Sequence, residues 1–233
     1  MPCTIKRILI ICFFFFGFTL VAQDTIQRPA DQKYREDQFY VGLTYNFITD
    51  VPGGVATRAL SGGLHFGFLR DMPVNKKRNI AIAFGAGMSI DRFGQTLFIG
   101  EGQNEETIFR VLDSDIDFNT NRFSVATIEA PIQFRWRSSN ATSTKFWRVY
   151  AGFHLGYSYW YKATFKQSNN NVEQTNISEF DPMRMGASLS FGYNTFNFYV
   201  YYSINPFFTG AVTDENQTVN FRTIKVGLMF YIL

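Results

Sequence analysis

The chain has 233 residues, enough for one ordinary domain or one barrel. Charged residues make up 18% of it, below the ~25% of an average soluble domain, and aromatic residues also make up 18%. This composition excludes a disordered chain, a coiled coil and a collagen-like fibre. The formal net charge is +3, and two of the positive charges, Lys6 and Arg7, lie near the N-terminus. Because the rest of the chain is left with a net charge of only about +1 (+3 less these two), the sequence predicts no nucleic-acid partner.

The first residues of the chain are typical of a secretory signal peptide. Lys6 and Arg7 precede an uncharged apolar stretch over 8–21, which is followed by the small residue Ala22. A basic region, an apolar region and a small-residue cleavage site occur in this order in signal peptides. The apolar stretch is shorter than the ~20 residues that span a bilayer as a helix. We therefore predict that residues 1–22 are removed on export.

Both cysteines, Cys3 and Cys12, lie within the predicted signal peptide. We therefore expect the mature chain to have no disulfide, no thiol nucleophile and no cysteine-based metal site. Residues 23–38 are polar and are interpreted as a short periplasmic lead-in.

Eight segments after this lead-in alternate apolar residues with small or polar ones, which is the period of a β-strand. Each segment is long enough to cross a membrane as a tilted strand of ~9–11 residues. The segments are 39–47, 60–69, 80–90, 123–137, 146–161, 183–193, 196–206 and 221–233.

The connections between these segments alternate in length. The long ones are 48–59, 91–122, 162–182 and 207–220, and the shorter ones are 70–79, 138–145 and 194–195. Outer-membrane barrels have short periplasmic turns and long external loops. An even number of strands also returns the chain to its starting side, so both termini are predicted to be periplasmic.

The residue types on the less apolar face indicate which face points into the barrel. That face is mostly Gly, Ser, Ala, Thr and Asn, which suits a narrow interior, whereas a soluble exterior would carry Lys and Glu. The apolar face also carries aromatic residues toward strand ends, as in membrane barrels: Trp136, Trp147, Tyr159, Tyr161 and Tyr193. We predict an all-β fold over 39–233, an eight-stranded antiparallel transmembrane up-and-down β-barrel in a bacterial outer membrane. A soluble periplasmic barrel or sandwich is the alternative.

Three stretches carry a resemblance to a known family. They are Ile-Glu-Ala-Pro-Ile at 128–132, Val-Tyr-Ala-Gly-Phe-His-Leu-Gly at 149–156 and Lys-Val-Gly-Leu-Met-Phe-Tyr-Ile at 225–232. With them, the region 39–233 resembles the PorT-like outer-membrane β-barrel family of bacteria with type IX secretion.

This resemblance implies a non-enzymatic barrel that belongs to an envelope or protein-secretion assembly. In the family that it resembles, the assembly is that of type IX secretion or gliding. Its partners would be outer-membrane lipid and other secretion or envelope proteins, and no cofactor is expected. Two alternatives stay open: a stand-alone structural barrel or minor pore, and an outer-membrane lipid-modifying enzyme.

Several charged or titratable residues are predicted to face the barrel interior. An unpaired charge in a narrow, partly dry lumen is costly, so we expect a paired network in which Glu129 contacts an arginine or lysine. A narrow ion path or gate is the functional alternative. The predicted network comprises Glu129, Arg135, Arg148, Arg184, Lys225 and His154.

Nucleophilic catalysis would need a serine or threonine, a histidine base and a carboxylate. His154, Ser158 and Glu129 lie on adjacent predicted strands, so a triad is conceivable. These side chains are predicted to face inward, however, whereas a lipid-active site should open to the membrane. Neither His65 nor His154 has the neighbouring ligand spacing of a zinc site, so no metal is predicted.

The longest connection, 91–122, is the hypothesised partner-facing loop, because loops of this length are usually functional or disordered. We expect its stretch 107–112 to extend a hairpin above the membrane. The alternating aspartates within it lack the later Gly and Glu of an EF-hand calcium loop. It carries the acidic residues Glu101, Glu105, Glu106, Asp113, Asp115 and Asp117.

Two smaller features complete the predictions. Pro131 lies inside a predicted strand, where it cannot donate a ladder hydrogen bond, so a bulge or local kink is expected there. Residues 70–78 are rich in Lys and Arg and are interpreted as a solvated basic turn.

Overall fold

The computed structural model describes residues 37–58, 60–102, 106–113, 115–138 and 145–232. The predicted signal peptide and nearly all of the lead-in therefore lie outside the described residues. No helix in the described part of the chain is long and apolar enough to span a membrane. The strands are β1 Gln38–Thr49, β2 Gly62–Pro73, β3 Ile80–Gly94, β4 Leu97–Glu101, β5 Thr107–Val111, β6 Thr120–Arg137, β7 Trp147–Gln167, β8 Asn170–Gln174, β9 Met183–Tyr193, β10 Phe196–Ser203 and β11 Arg222–Ile232.

Eight of these strands form a closed antiparallel barrel, as predicted. Neighbours follow chain order through β1, β2, β3, β6, β7, β9, β10 and β11, and β11 pairs back onto β1. The closing pairs run from Phe39 opposite Ile232 to Thr49 opposite Arg222. The barrel therefore begins and ends at one end, which we call the turn end, and the opposite end is the loop end.

Residues that alternate along the sequence point alternately to the outer wall and to the lumen of the barrel. On β10, for example, Phe198 is 62% exposed, whereas its neighbours Asn197 and Tyr199 are buried. A two-residue turn joins β9 to β10, with Asn194 in the left-handed region at φ 55°. Asparagine tolerates this conformation better than most residues. Large apolar side chains thus face outward, and small and polar ones face the lumen.

A bulge in β7 corrects one part of the predicted alternation. The β6–β7 register shifts between Ala126 and Thr127, which pair with Trp160 and Ser158, so Tyr159 is the extra residue. An extra residue reverses every later side chain in a strand. Trp160, which strict alternation with Tyr159 and Tyr161 would place inside, is outside, whereas Tyr161, predicted to face outward, packs against Phe180 with ring centroids 4.0 Å apart.

The expected distortion at Pro131 takes a milder form than a bulge. The β3–β6 ladder passes from the pair Phe84–Ile132 to the pair Gly87–Glu129 without a register shift, and the two pairs between them are missing. Because proline has no N–H to donate, the ladder is interrupted there but not displaced.

Several strands continue beyond their predicted ends. β2 runs to Pro73, so Asp71 lies in a strand and is buried, not in a solvated turn. β3 runs to Gly94, which places Asp91 inside the barrel. β7 extends past the predicted end at 161, and β8 pairs with its last residues.

Apolar side chains fill the interior at the loop end, and we call this group the aromatic plug. The rings of Phe207, Phe208 and Phe221 lie 5.5–6.3 Å from that of Phe123, which is fully buried. The plug comprises Phe93, Leu97, Ile99, Phe109, Phe123, Val125, Ala163, Ile177, Phe180, Phe207, Phe208, Ala211, Val219 and Phe221.

The β4–β5 hairpin supplies part of the plug. The predicted extension over 107–112 does form a hairpin strand, β5, which pairs with β4 in a separate two-stranded sheet. Its residue Phe109 packs on Phe208 with ring centroids 5.2 Å apart, and its carbonyl accepts a hydrogen bond from the Asp214 N–H. One face of the hypothesised partner loop is therefore buried in the barrel.

Candidate functional site

The middle of the lumen holds a hydrogen-bonded group that we call the central cluster: Thr44, Asn46, His65, Ser89, Asp91, Glu129, His154, Ser188 and Lys225. Each of these side chains stands at an inward position of its strand, and most are buried. Buried polar groups require partners, and the cluster supplies them from across the barrel.

Glu129 is at the centre of one half of this cluster. Its Oε1 accepts a hydrogen bond from Ser89 Oγ at 2.9 Å, and its Oε2 lies 3.1 Å from His154 Nδ1. The other ring nitrogen of His154 lies 2.9 Å from Ser188 Oγ. Ser158, the serine considered in the sequence analysis, instead bonds with Thr127 at 2.9 Å. The serine in contact with the histidine is therefore Ser188, not Ser158.

Lys225 organises the other half. Its Nζ donates to Asp91 Oδ2 at 2.6 Å, while Asp91 Oδ1 accepts from Asn46 Nδ2 at 2.9 Å. Thr44 Oγ1 joins Asn46 to His65 through contacts of 2.9 and 3.0 Å. The ammonium of Lys225 is thus balanced by Asp91, a residue of the predicted loop 91–122 that the structure places in β3.

The predicted charge network is divided between two levels of the barrel. Arg184 lies below the aromatic plug, where its guanidinium sits 4.4 Å from the centre of the Phe207 ring and 3.7 Å from Asp181 Oδ2. It lines the same small cavity as Glu129, His154 and Lys225. Arg135 and Arg148 belong to the turn end.

We call Asp71, Arg135, Arg137 and Arg148 the turn-end cluster. The Asp71 carboxylate accepts hydrogen bonds from Arg135 Nη1 at 3.3 Å and from Arg137 Nη2 at 2.9 Å. All three side chains are 0% exposed. Arg135 also lies 4.6 Å from the centre of the Tyr150 ring. Arg148 is opposite Arg137 in the β6–β7 register. This cluster buries several charges in a small volume.

The expected contact of Glu129 with an arginine or lysine is not found within the described residues. Its titratable partner is His154, whose Nδ1 lies 3.1 Å from Glu129 Oε2. Lys225 pairs with Asp91 and Arg135 pairs with Asp71, so two acids from the predicted connections take the bases expected for Glu129. The reason is strand length, since both acids lie on strand residues beyond the predicted ends.

Little free space remains among these groups. The cavity between the central cluster and the plug measures about 10 Å³. A cavity needs roughly 10–15 Å³ to hold one water molecule. Side chains therefore fill this part of the lumen, and a substrate does not fit beside His154.

The acidic residues of the hypothesised partner loop are dispersed. Glu101 and Glu106 flank the tip of the β4–β5 hairpin, and Asp113, Asp115 and Asp117 follow β5. These five side chains are exposed, whereas Glu105 lies outside the described residues. Across the described part of the chain, no three His, Cys, Asp or Glu side chains are grouped to hold a metal ion.

The outer surface completes the picture of a membrane protein. Phe39, Leu43, Ile128, Phe134 and Leu189 are all more than half exposed on the barrel wall. The closed sheet pairs the backbone hydrogen-bonding groups of its strands, and the apolar wall and polar lumen match those of a β-barrel that spans a membrane. These features define the class: an eight-stranded transmembrane β-barrel.

Comparison with known proteins gives the family. Residues 21–209 match the model of the outer membrane protein beta-barrel domain. The chain belongs to this family of bacterial outer-membrane β-barrels, and its apolar wall contacts membrane lipid. A search of the curated proteins found no match to the chain.

Proposed function

We propose that this outer-membrane barrel is non-enzymatic and non-conducting, and that it serves as a membrane-integrated component of an envelope or protein-secretion assembly. The observation that carries the proposal is the filled interior. An aromatic plug and two ion-paired clusters occupy the lumen, and the cavity between plug and central cluster is about 10 Å³. With the lumen filled and the wall in lipid, the two ends of the barrel are the surfaces left for function, and the loop end carries the longer connections.

The PorT-like resemblance supports the assembly role, with type IX secretion or gliding as the particular process. Its three stretches contain Glu129, His154 and Lys225, three members of the central cluster. The stretches that carry the resemblance therefore include residues whose side chains fill the lumen, in addition to the alternating strand pattern.

The proposed orientation places both termini in the periplasm. The short connections lie at the turn end, whereas the β4–β5 hairpin and the β7–β8 extension lie at the loop end. Outer-membrane barrels generally place their short turns on the periplasmic side. The loop end then faces out of the cell.

A pull-down in mild detergent tests the assembly role. We expect the tagged protein to recover other envelope proteins in stoichiometric amounts, and Glu101→Gln/Glu106→Gln at the hairpin tip to reduce that recovery at least severalfold. Glu173→Gln/Glu215→Gln is the matched control, because it also neutralises two exposed glutamates at the loop end, but away from the hairpin tip. Recovery of the wild-type barrel alone would contradict the assembly role, and equal losses in both variants would contradict a role for the tip.

The second candidate function is hydrolysis, because Ser188, His154 and Glu129 follow the order of a nucleophile, base and carboxylate triad. The lack of space for a substrate favours a structural role. Ser188→Ala should then remove one hydrogen bond and reduce the free energy of unfolding by only about 1 kcal/mol. The lipid A mass spectrum of cells carrying this variant should match wild type. A changed spectrum with the variant folded would favour the enzyme.

A further inference from the structure

A basic cleft lies on the outer wall of the barrel at the loop end. Its volume is about 280 Å³, and Arg58, Arg92 and Arg122 line it together with Phe118 and the chain around Asn119. Neither the lumen clusters nor the hairpin tip includes these arginines. Their position on the wall calls for a separate explanation.

The β3–β6 register brings two of the arginines together. Arg92 pairs with Ser124, and Arg122 pairs with Gly94, so the two arginines are diagonal neighbours on adjacent strands. Both stand at outward positions, since Arg92 follows the exposed Ile90 by two residues and Arg122 shares the parity of Ile128. Diagonal neighbours on one face lie within reach of long side chains.

A loop adds the third arginine. The Arg58 N–H donates to the carbonyl of Gly94 at 2.8 Å, which fixes the loop against the end of β3. The Arg58 guanidinium lies 5.4 Å from the centre of the Phe118 ring. The stacked guanidinium is thereby held at the cleft.

These positive charges form no direct ion pair with a carboxylate in the described structure. None of the ion pairs among the described residues involves Arg58, Arg92 or Arg122. Like charges held side by side on one face repel each other. An anion bound between the arginines would remove that repulsion.

Two lysines extend the basic surface along β7. Lys162 and Lys166 pair with Ser124 and Thr120, so they share the outer face of Arg122. Glu173 meets Lys162 at 2.6 Å. This hydrogen bond lowers the pKa of the Glu173 carboxyl below its ordinary value, and the charges of Lys166 and Arg122 act in the same direction. The surface therefore stays positive overall.

The neighbouring aromatic side chains show the level of the cleft in the membrane. Tyr159 and Trp160 are exposed on β7 just before Lys162, and Ile90 is exposed on β3 just before Arg92. Tyr and Trp concentrate where the apolar wall meets the headgroups. Arg92 and Arg122 thus follow the last lipid-facing residues and lie at headgroup level.

We propose that Arg58, Arg92 and Arg122 form a binding site for the phosphate group of a membrane lipid. The planar guanidinium binds phosphate through two parallel hydrogen bonds, which suits arginine to this task better than lysine. The proposed orientation places this lipid in the outer leaflet. The site itself depends on neither the orientation nor the assembly role.

Native mass spectrometry of the purified barrel in detergent tests the site, with phosphorylated lipid A and its dephosphorylated form as probes. We expect wild type to bind the phosphorylated form at least about tenfold more tightly, and Arg92→Gln/Arg122→Gln to lose about tenfold in affinity for it. The control is Arg110→Gln/Arg222→Gln, which also neutralises two arginines. These two are outside the cleft and pair with Asp214 and Asp50. The control should bind like wild type.

Three results would overturn the proposal: equal binding of the two probes by wild type, equal losses in the test and control variants, or displacement of the lipid by equimolar inorganic phosphate. The last result would mean that the site takes a free anion. If the double variant does not fold, Arg58→Gln in the loop replaces it, with a smaller loss expected. Since the isolated barrel is measured, failure of the assembly role would leave this result unaffected.

Discussion

Replacing Asp71 with asparagine should lower the free energy of unfolding by about 3–5 kcal/mol. Asp71 is the carboxylate between Arg135 and Arg137, and none of the three side chains is exposed. Asparagine keeps the shape but removes the charge, which leaves two buried guanidinium groups without this counter-ion. Urea unfolding of the barrel in lipid vesicles, followed by tryptophan fluorescence, measures the change.

The matched control for Asp71 is Asp214→Asn. Asp214 also pairs with an arginine, Arg110 at 2.6 Å, but both side chains are exposed. Exposed ion pairs contribute at most about 1 kcal/mol, so this variant should unfold nearly as wild type does. Equal effects of the two substitutions would show that the turn-end cluster is not a dry, closely paired group.

The second large effect is expected from Phe123→Ala in the aromatic plug. Phe123 lies among Phe180, Phe207, Phe208 and Phe221, with every ring centroid within 6.3 Å. Truncation of a buried phenylalanine leaves a cavity and costs about 3–5 kcal/mol. The same unfolding experiment in vesicles measures the loss.

Phe198→Ala controls for the loss of a phenylalanine as such. Phe198 is 62% exposed on the barrel wall, so its truncation removes contact with lipid but opens no internal cavity. The loss of stability should therefore be clearly smaller than for Phe123→Ala. A comparable loss at both positions would mean that the plug is loosely packed.

Much of this fold follows from a period-two pattern, and the errors have two physical sources. The first is the single extra residue at Tyr159, which reverses Trp160 and Tyr161. Alternation does not mark this bulge, because Tyr159, Trp160 and Tyr161 are all aromatic and no small or polar residue shows where the parity changes. The second is strand length. Continuing the inward parity of His65 by six residues reaches Asp71, and that of Ser89 by two residues reaches Asp91.

The site is less predictable than the fold for a related reason. The inward or outward position of each residue along its strand predicts that Glu129 and His154 face the lumen. The partner of a charged lumen side chain lies across the barrel, however, and its identity depends on the register of every strand in between. The aromatic plug was missed because Phe207, Phe208 and Phe221 lie in or beside a connection treated as an external loop. The adjacent pair Phe207 and Phe208 at the start of that connection is the available signal, since large apolar side chains tend to be buried.

Single-channel recording of the purified wild-type protein in a planar bilayer tests the filled interior most directly. The account predicts no unitary current steps from protein whose insertion and folding are verified by heat-modifiable migration on gels. Reproducible steps of constant size from such protein would contradict it, because they require a continuous water path through the plug and both ion-paired clusters.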